Sequence, residues 1–255
     1  MNELVSVIMP SYNTAEYISD SIKSVLAQTY GELELIIVDD CSSDGTEDIV
    51  SSFDDERIRF FKNEKNLGAA LCRNRALREA RGKWIAFLDS DDIWLPEKLG
   101  RQIAFMKENG YAFSYTNYAE INASGQDLGV TVTGPEKISR KGAFRYCWQG
   151  CLTVMYDAEK IGLVQVADIK KNNDYAMWLK ISKSAECRLL PETLAKYRRG
   201  RTGSVSTQSI FTMMKWHYRL FRYAEGESVF PSVFHTCGNM FFGFIKKIFY
   251  VRRVR

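Results

Sequence analysis

The sequence predicts an α/β protein built on a mostly parallel β-sheet flanked by helices. Three observations predict this class: short continuous apolar runs, helical segments between them, and polar residues directly after several of the runs. The first of these runs is Leu4–Met9, and the further strands are predicted over Leu33–Val38, Ile58–Phe61 and Trp84–Leu88, which are mainly apolar. Continuous apolar runs are typical of strands buried on both faces. Strands that alternate with helices indicate crossover connections and therefore a parallel sheet.

Helical segments separate these predicted strands. Apolar residues at helical spacing follow the first strand over residues 18–26, and Asn13 is positioned to cap that helix. A second helix is predicted over 69–80, with Asn66 as its N-cap and Gly82 at its end. Further along the chain, we expect helices over 96–109 and 173–184, and strands over 111–120, 130–133 and 187–190.

Composition narrows the class of protein. Of the 255 residues, 45% are hydrophobic and 26% are charged, as in ordinary soluble domains. The apolar run that ends at Pro10 is too short for a signal peptide. The six cysteines are scattered without a Cys-x-x-Cys pair, and there are only two histidines, which argues against a zinc site. We therefore expect a protein of the reducing cytoplasm.

Charge is unevenly distributed along the chain. Residues 196–255 hold twelve basic and two acidic residues, whereas residues 1–195 hold 23 basic and 29 acidic residues. An acidic body with a basic, aromatic tail indicates an anionic partner for the tail, which could be a membrane surface, a nucleic acid or a phosphorylated acceptor.

Polar residues follow three of the predicted strands. They are Pro10-Ser11-Tyr12-Asn13, Asp39-Asp40 and Asp89-Ser90-Asp91-Asp92. The carboxyl ends of parallel strands meet at one edge of a sheet, where ligands bind. Carboxylates this close need a cation or hydrogen-bond donors to offset their repulsion, and oxygen ligands suit Mg²⁺ or Mn²⁺ together with substrate phosphates. A metal–diphosphate site is predicted; the alternative is a helix cap at Asp39-Asp40 and a solvated turn at 89–92.

These motifs, in this order, resemble the family 2 glycosyltransferases of the GT-A fold that build bacterial surface polysaccharides. The resemblance covers roughly residues 4–205. It is carried by the following segments: Val7-Ile8-Met9-Pro10-Ser11-Tyr12-Asn13, Ile36-Ile37-Val38-Asp39-Asp40-Cys41-Ser42-Ser43-Asp44-Gly45-Thr46, Asn66-Leu67-Gly68 with Arg73-Asn74, and Phe87-Leu88-Asp89-Ser90-Asp91-Asp92. It implies a catalytic domain over 1–205, with a nucleotide-sugar half (1–110) and an acceptor half (111–205), followed by a helical extension over 206–255.

The resemblance also implies where the nucleotide binds. Pro10, Tyr12 and Asn13 match the loop that packs against the base. Asp39 matches the acid that hydrogen-bonds the base, usually uracil, with Asp40 beside it.

The diphosphate and the metal are expected at the next elements. Arg73 matches an arginine near the nucleotide and diphosphate, and its alternative role is a charge on a helix surface. Asp89 and Asp91 match the acid pair that holds Mn²⁺ or Mg²⁺, with Ser90 between them in the donor site. Asp92 is expected at the edge of the donor sugar.

The catalytic base is assigned to Asp174. Family members carry Glu-Asp at the start of a later helix, and here Asn173-Asp174 occupies that position. Asn173 can hydrogen-bond but carries no charge, so it removes a source of like-charge repulsion. The alternative for Asp174 is an ordinary N-cap.

A basic segment is expected near the leaving group. Arg198, Arg199 or Arg201 could stabilise the departing nucleotide diphosphate, and the glycines in 197–204 predict a mobile lid. The alternative is a solvated basic loop.

Together these features predict metal-assisted, inverting transfer of one sugar from a nucleotide diphosphate-sugar, a UDP-sugar by family habit, to an acceptor hydroxyl on a glycan or lipid-linked precursor. The aromatic and basic residues of 230–255 predict peripheral contact with an anionic membrane, at the inner face of the cytoplasmic membrane, and no nucleic-acid partner is expected. The alternative for this segment is a helix packed on the core or on a second copy.

Other classes fit less well. A dehydrogenase needs a Gly-x-Gly-x-x-Gly loop where Pro10–Asn13 stands. A phosphatase of the haloacid dehalogenase type carries its Asp-x-Asp at the first strand of its domain, and a sugar nucleotidyltransferase has a glycine-rich first loop. A degenerate module that binds nucleotide-sugar or glycan without turnover stays open because of Asn173.

Overall fold

The computed structural model describes residues 3–200 and 209–253. The strands in these ranges are β1 (Val5–Ser11), β2 (Leu33–Asp39), β3 (Ile58–Lys62), β4 (Trp84–Phe87), β5 (Ile93–Trp94), β6 (Phe113–Ile121), β7 (Asp127–Val132), β8 (Lys137–Ile138), β9 (Met155–Asp157), β10 (Cys187–Arg198) and β11 (Val251–Arg253). The helices are α1 (Ile18–Leu26), α2 (Thr46–Ser51), α3 (Ala69–Glu79), α4 (Lys98–Asn109), α5 (Arg140–Arg145), α6 (Ala158–Ile161), α7 (Asn173–Ile181), α8 (Ile210–Arg219) and α9 (Val229–Phe249). A 3₁₀ turn covers Cys151–Thr153 and a π-helical turn covers Leu220–Ala224.

One sheet runs through the molecule in the order β11-β7-β6-β9-β4-β1-β2-β3. Strands β3, β2, β1 and β4 are parallel neighbours, which confirms the predicted α/β class with a parallel nucleotide-side sheet. The second half is mixed: β9 is antiparallel to both β4 and β6, whereas β10 runs parallel to β6. The parallel strands therefore end together at one edge.

Helices cover both faces of the sheet. Every residue of β1 is buried, and its side chains alternate between two apolar clusters: Val7 belongs with Ile22 of α1, and Ile8 with Leu77 of α3 and Trp178 of α7. Burying a side chain of this size stabilises the fold by about 1.5–3 kcal/mol. This two-sided burial explains why the strands read as continuous apolar runs.

Three local predictions need correction. Asn13 does not cap the first helix, which begins at Ile18 after Tyr17, and Asn66 does not cap α3, whose N-cap residue is Gly68. The strand predicted over 187–190 continues to Arg198. Its register shifts after Leu190, around Pro191, which has no amide hydrogen for the ladder.

The segment after residue 208 packs against the helices and strands that precede it. Leu220 and Phe221 are fully buried in the cluster that contains Trp178. The segment is not purely helical, because β11 pairs with β7, with Val251 opposite Val132. No helix in ranges 3–200 and 209–253 is long and apolar enough to cross a bilayer.

Candidate active site

The ends of β1, β2 and β4 lie side by side. Ser11 pairs with Asp39, and the amide of Asp40 donates to the carbonyl of Ser11 at 2.8 Å. The amide of Leu88 donates to the carbonyl of Ile8 at 3.1 Å, which puts the start of the acidic loop beside β1. The structure therefore brings the three predicted segments to one edge of the sheet.

Asp39 supports the loop that follows β1. Its carboxylate is fully buried and accepts from the amide and hydroxyl of Ser42, at 2.9 and 2.5 Å. The Ser42 Oγ accepts from the amide of Asn13 at 2.8 Å, and Asn13 Oδ1 accepts from the amide of Ser43 at 2.9 Å. Asn13 thus cross-links two loops, which explains why it does not cap α1. Tyr12 is half exposed (49%) at the rim, next to the buried Pro10.

Asp40 is committed to the loop before α3. Its Oδ1 accepts from Asn63 Nδ2 at 2.9 Å and from the amide of Leu67 at 2.8 Å, and its Oδ2 accepts from the amide of Gly68 at 2.7 Å. Backbone N–H groups at a helix start favour a carboxylate. Asp40 therefore does what the sequence assigned to Asn66: it satisfies the amides at the start of α3.

The acidic loop is only partly open to solvent. Ser90, Asp91 and Asp92 are buried, whereas the Asp89 side chain is 34% exposed. The Asp92 carbonyl accepts from the Ser21 hydroxyl at 2.7 Å, and Asp92 Oδ1 accepts from the amide of Arg198 at 2.9 Å. Asp92 therefore joins the loop to α1 and to the end of β10.

Arg73 joins the acidic loop to the start of α7. Its buried guanidinium donates from Nη2 to Asp89 Oδ1 and from Nη1 to Asn173 Oδ1, the latter at 2.9 Å. The two acceptors lie 16 and 100 residues away along the chain. Arg73 is thus part of the buried site, and its alternative as a surface charge is wrong. Asn173 keeps the acceptor oxygen that a glutamate would present.

Asp174 follows Asn173 and lies near the same arginine. Burial raises the pKa of its carboxyl, the Arg73 charge opposes that rise, and the Asp89 charge adds to it. The Asp174 side chain is partly exposed. Even so, burial raises its pKa by more than the Arg73 charge lowers it, so the net shift of the pKa is upward. A carboxylate with a raised pKa is better matched to taking a proton near neutral pH. Chemically, this arrangement suits a general base beside a donor-binding loop.

Arg198 is buried and its guanidinium is directed into the protein. Its Nε donates to the carbonyl of Asp91 and its Nη1 to the carbonyl of Ala123, both at 2.8 Å, and its guanidinium lies 5.0 Å from the ring centre of Tyr17. Arg198 thus clamps the acidic loop to neighbouring elements; its contact with a diphosphate stays a prediction. Arg199 pairs with Glu120 at 2.5 Å. Arg201 and the second half of the predicted lid over 197–204 lie outside the described residues.

Two neighbours of the site carried no sequence motif. His217 of α8 lies beside the residues that precede Asp174, with its Nδ1 3.4 Å from Asn172 Nδ2. Cys151 is buried, and burial raises the pKa of its thiol. The charge of Arg73 lowers this pKa, whereas the charges of Asp89 and Asp174 raise it. Only the alternating aromatic residues around 210–252 could have hinted that the C-terminal segment reaches the site.

Within the described ranges, no group of three or more His, Cys, Asp or Glu side chains is arranged to hold a metal ion by itself. Mg²⁺ is bound in many enzymes by one or two carboxylates and completed by substrate phosphates. Asp89 and Asp91 are two carboxylates on one loop, the number that such a donor set needs from the protein.

The chain matches a known protein family and several named relatives. The profile described as Glycosyl transferase family 2 matches residues 6–180. Over 198 residues the chain is 45% identical to the putative teichuronic acid biosynthesis glycosyltransferase TuaG of Bacillus subtilis (strain 168), covering 76% of this chain and 79% of TuaG. Over 180 residues it is 47% identical to the Escherichia coli UDP-Glc:alpha-D-GlcNAc-diphosphoundecaprenol beta-1,3-glucosyltransferase WfgD, covering 71% and 70%.

Solved structures share the fold at low identity. TarS 1–349 of S. aureus in complex with UDP-GlcNAc superposes with a TM-score of 0.72 at 21% identity, over 89% of this chain and 69% of that one. The mannosyltransferase PcManGT of Pyrobaculum calidifontis, in complex with GDP-Man and Mn²⁺, superposes with a TM-score of 0.67 at 17% identity, over 93% and 70%.

The fold is that of the GT-A glycosyltransferases. The chain belongs to glycosyl transferase family 2 and is a glycosyltransferase.

Proposed function

We propose that this enzyme transfers one sugar from a UDP-sugar to an acceptor hydroxyl on a glycan or lipid-linked precursor, with inversion at the anomeric carbon. The observation that carries the proposal is the Arg73 bridge, which joins Asp89 of the donor-side loop to Asn173, the residue before Asp174. A leaving group and a base must lie on opposite sides of the reacting carbon for a single displacement. The bridge connects the two elements that would hold them in this proposal.

In the proposed reaction, Asp174 accepts the proton of the acceptor hydroxyl as that oxygen attacks the anomeric carbon, and the bond from that carbon to the diphosphate oxygen breaks. Burial raises the pKa of Asp174, so its basic form is present only above a higher pH than for an ordinary aspartate. The charge of the Arg73 guanidinium opposes this rise in the pKa of Asp174. Positioned bases contribute about 10²–10⁴-fold to rate.

On the donor side, Pro10, Tyr12, Asn13 and Asp39 form the base pocket in this proposal. Asp89 and Asp91 would hold Mn²⁺ or Mg²⁺ together with the donor phosphates. Such an ion neutralises charge that builds on the departing diphosphate. Asp89 would bind the ion while its Oδ1 accepts the hydrogen bond from Arg73.

The relatives support the donor and the acceptor of this proposal. WfgD and the E. coli enzyme WfaP, which is 40% identical over 214 residues, are both described as acting from UDP-Glc on α-D-GlcNAc-diphosphoundecaprenol. By this likeness we assign a UDP-hexose donor and a sugar carried on a lipid diphosphate to the present chain.

The C-terminal helices support the membrane part of the proposal. Large apolar side chains are exposed along α8 and α9: Ile210, Phe211, Met214, Val229, Phe230, Val233, Phe234, Phe241, Phe244, Ile248 and Phe249. Exposed Lys247, Arg252 and Arg253 lie at the end of the same segment. Aromatic faces next to cations favour the interface of an anionic bilayer. We place the enzyme on the inner face of the cytoplasmic membrane, peripherally bound through this surface.

Turnover is tested with Asp174→Asn. We expect kcat to fall by about 10²–10⁴-fold, while the affinity for UDP in the presence of Mn²⁺ stays within a factor of about two. Asp168→Asn is the matched control, because it makes the same chemical change at an exposed position six residues earlier. The assay follows UDP release with and without a GlcNAc-diphosphate-lipid acceptor. If Asp174→Asn matches the control, Asp174 is not the base. UDP binding without acceptor-dependent release would support the binding-module alternative.

Membrane contact is tested by sedimentation with vesicles of phosphatidylglycerol or of phosphatidylcholine. Phe230 is 82% exposed, so Phe230→Ser combined with Phe234→Ser should weaken binding to the anionic vesicles without loss of stability. Leu163→Ser, at an exposed apolar residue away from the two helices, is the control. Equal binding by both variants would remove the membrane role from this surface.

A further inference from the structure

Lys246 is a cation of α9 whose ammonium group is directed toward the protein. Its Nζ donates to the carbonyl of Trp148 at 2.8 Å and lies 5.4 Å from the ring centre of Tyr146. The next residue, Lys247, is exposed. An ammonium has three donors, and Trp148 takes the one hydrogen bond that Lys246 makes in the described part of the chain. Two donors are therefore left for a ligand.

Close packing holds α9 at this place. A Cβ added at Gly243 would lie 3.1 Å from the ring of Tyr146, so the helix approaches this ring more closely than most side chains would allow without a small shift. Trp148 packs edge-on against Phe242 and Tyr250, at 6.2 and 5.3 Å between ring centres. Because the backbone around Lys246 is fixed, its ammonium has a defined position.

The segment that Lys246 contacts is also near the proposed base, Asp174. Cys147 is the residue before Trp148, and burial raises the pKa of its thiol. The charge of Asp174 raises this pKa further, whereas the charge of Lys246 lowers it. The segment 146–148, whose Trp148 carbonyl binds Lys246, is therefore close enough to Asp174 for that charge to act on Cys147. The charges of Glu120 and Arg199 also affect the pKa of Lys246, in opposite directions. These two residues form an ion pair with each other at 2.5 Å. Lys246 therefore adds an unbalanced positive charge beside that neutral pair.

We infer that Lys246 forms part of a binding site for the diphosphate group of the acceptor's lipid carrier. This inference rests on the proposed function, in which the acceptor hydroxyl lies at Asp174 and its sugar is linked to a diphosphate. The outer side of the same helix carries Phe241, Phe244 and Ile248, exposed toward the proposed bilayer. One helix would thus contact the lipid with one side and the carrier's diphosphate with the other.

Charge and burial agree with this role. Burial lowers the pKa of Lys246 to about 8, so the group is mainly protonated at pH 7 but costs free energy to keep charged. A phosphate oxygen at hydrogen-bond distance would offset that cost. Charge-assisted hydrogen bonds to phosphate are roughly twice as strong as neutral ones.

The inference is tested by binding of undecyl diphosphate to the full-length protein at pH 7, in a neutral detergent and with UDP and Mn²⁺ saturating, so that the donor site is filled. Lys246→Met should weaken this binding by about tenfold or more, the loss expected for one hydrogen bond between charged groups. Lys246→Arg should keep it within about threefold, because the charge and the donors remain. Lys247→Met is the matched control, with the same chemical change at the exposed neighbour.

Three results would overturn the inference. Equal binding by Lys246→Met and Lys247→Met would show that the ammonium of Lys246 is not used. Loss of phosphatidylglycerol-vesicle binding in Lys246→Met with undecyl diphosphate binding intact would assign the lysine to a phospholipid headgroup. If Lys246→Met fails to fold, Lys246→Gln replaces it, and binding equal to wild type would have the same meaning. Failure of the proposed function is seen separately, as loss of UDP binding or of acceptor-dependent UDP release in the wild-type enzyme.

Discussion

Replacing Arg73 by methionine removes the bridge between the acidic loop and the start of α7. Methionine has a similar length, so the change leaves the Asp89 carboxylate and the Asn173 amide oxygen without their shared donor. Truncating one partner of a buried charged pair costs about 3–5 kcal/mol. Asp89 is 34% exposed, so water offsets part of that cost; we expect about 2–3 kcal/mol in transition-state stabilisation.

At 1.36 kcal/mol for each tenfold change, this loss corresponds to a fall in kcat/KM of about 30- to 160-fold. A second effect has a definite sign. The charge of Arg73 lowers the pKa of Asp174, so its removal raises that pKa further above the ordinary carboxyl value. The acidic limb of the plot of kcat/KM against pH should therefore move to higher pH.

The assay is UDP release at saturating Mn²⁺, measured across pH for wild type, Arg73→Met, Arg73→Lys and Arg78→Met. Arg78 is the control, because it lies on the same helix α3 and is exposed. Arg73→Lys keeps the charge but cannot bind both acceptors in the same way, so its pH profile should resemble wild type while its rate falls. A fall below threefold in Arg73→Met, with an unmoved acidic limb, would refute the bridge as a catalytic support.

The other predictions concern the scaffold of the site and its metal. Asp40→Asn places an amide donor against one of the amides of Leu67 and Gly68, so we expect a loss of about 1–3 kcal/mol in unfolding free energy, measured in urea, and weaker UDP binding; unchanged values would contradict the anchoring role. Gly82→Ala brings a Cβ to 2.6 Å from the Ser6 amide nitrogen and should lower stability by about 1–3 kcal/mol in thermal unfolding, whereas Gly31→Ala, with open space around it, should not. Chelation should abolish UDP release and added Mn²⁺ should restore it; Asp91→Asn should show the same loss at ordinary Mn²⁺, and full activity in either case would exclude the metal site.

Much of the donor side could be predicted because its signals are local. The parallel strands β1, β2 and β4 are buried along their whole length, so their apolar character is visible in the sequence, and the polar residues that follow them lie at the same edge of the sheet. The division of labour among the acids could not be read in this way. Asp39 and Asp40 look equivalent in the sequence, but Asp39 holds Ser42 whereas Asp40 satisfies the amides before α3.

Errors arose where a tertiary contact outweighed a local preference. Asn13 has the residue type of an N-cap, but its side chain binds the Ser43 amide across two loops. The strand predicted over 187–190 continues past a register shift to Arg198, whose guanidinium donates to the carbonyl of Asp91. In each case a partner distant in sequence contributed free energy that the local pattern does not contain.

By itself, the sequence determined the class of the fold, the family resemblance and the edge of the sheet where the donor-side acids meet, because hydrophobic periodicity and short motifs act over a few residues. Only the tertiary structure decided which side chains support the site and which can face a ligand. Arg73 meets Asn173 across 100 residues, and Lys246 meets Trp148 across 98. Such pairings depend on how helices pack on the two faces of the sheet, and packing depends on the shapes of many side chains together.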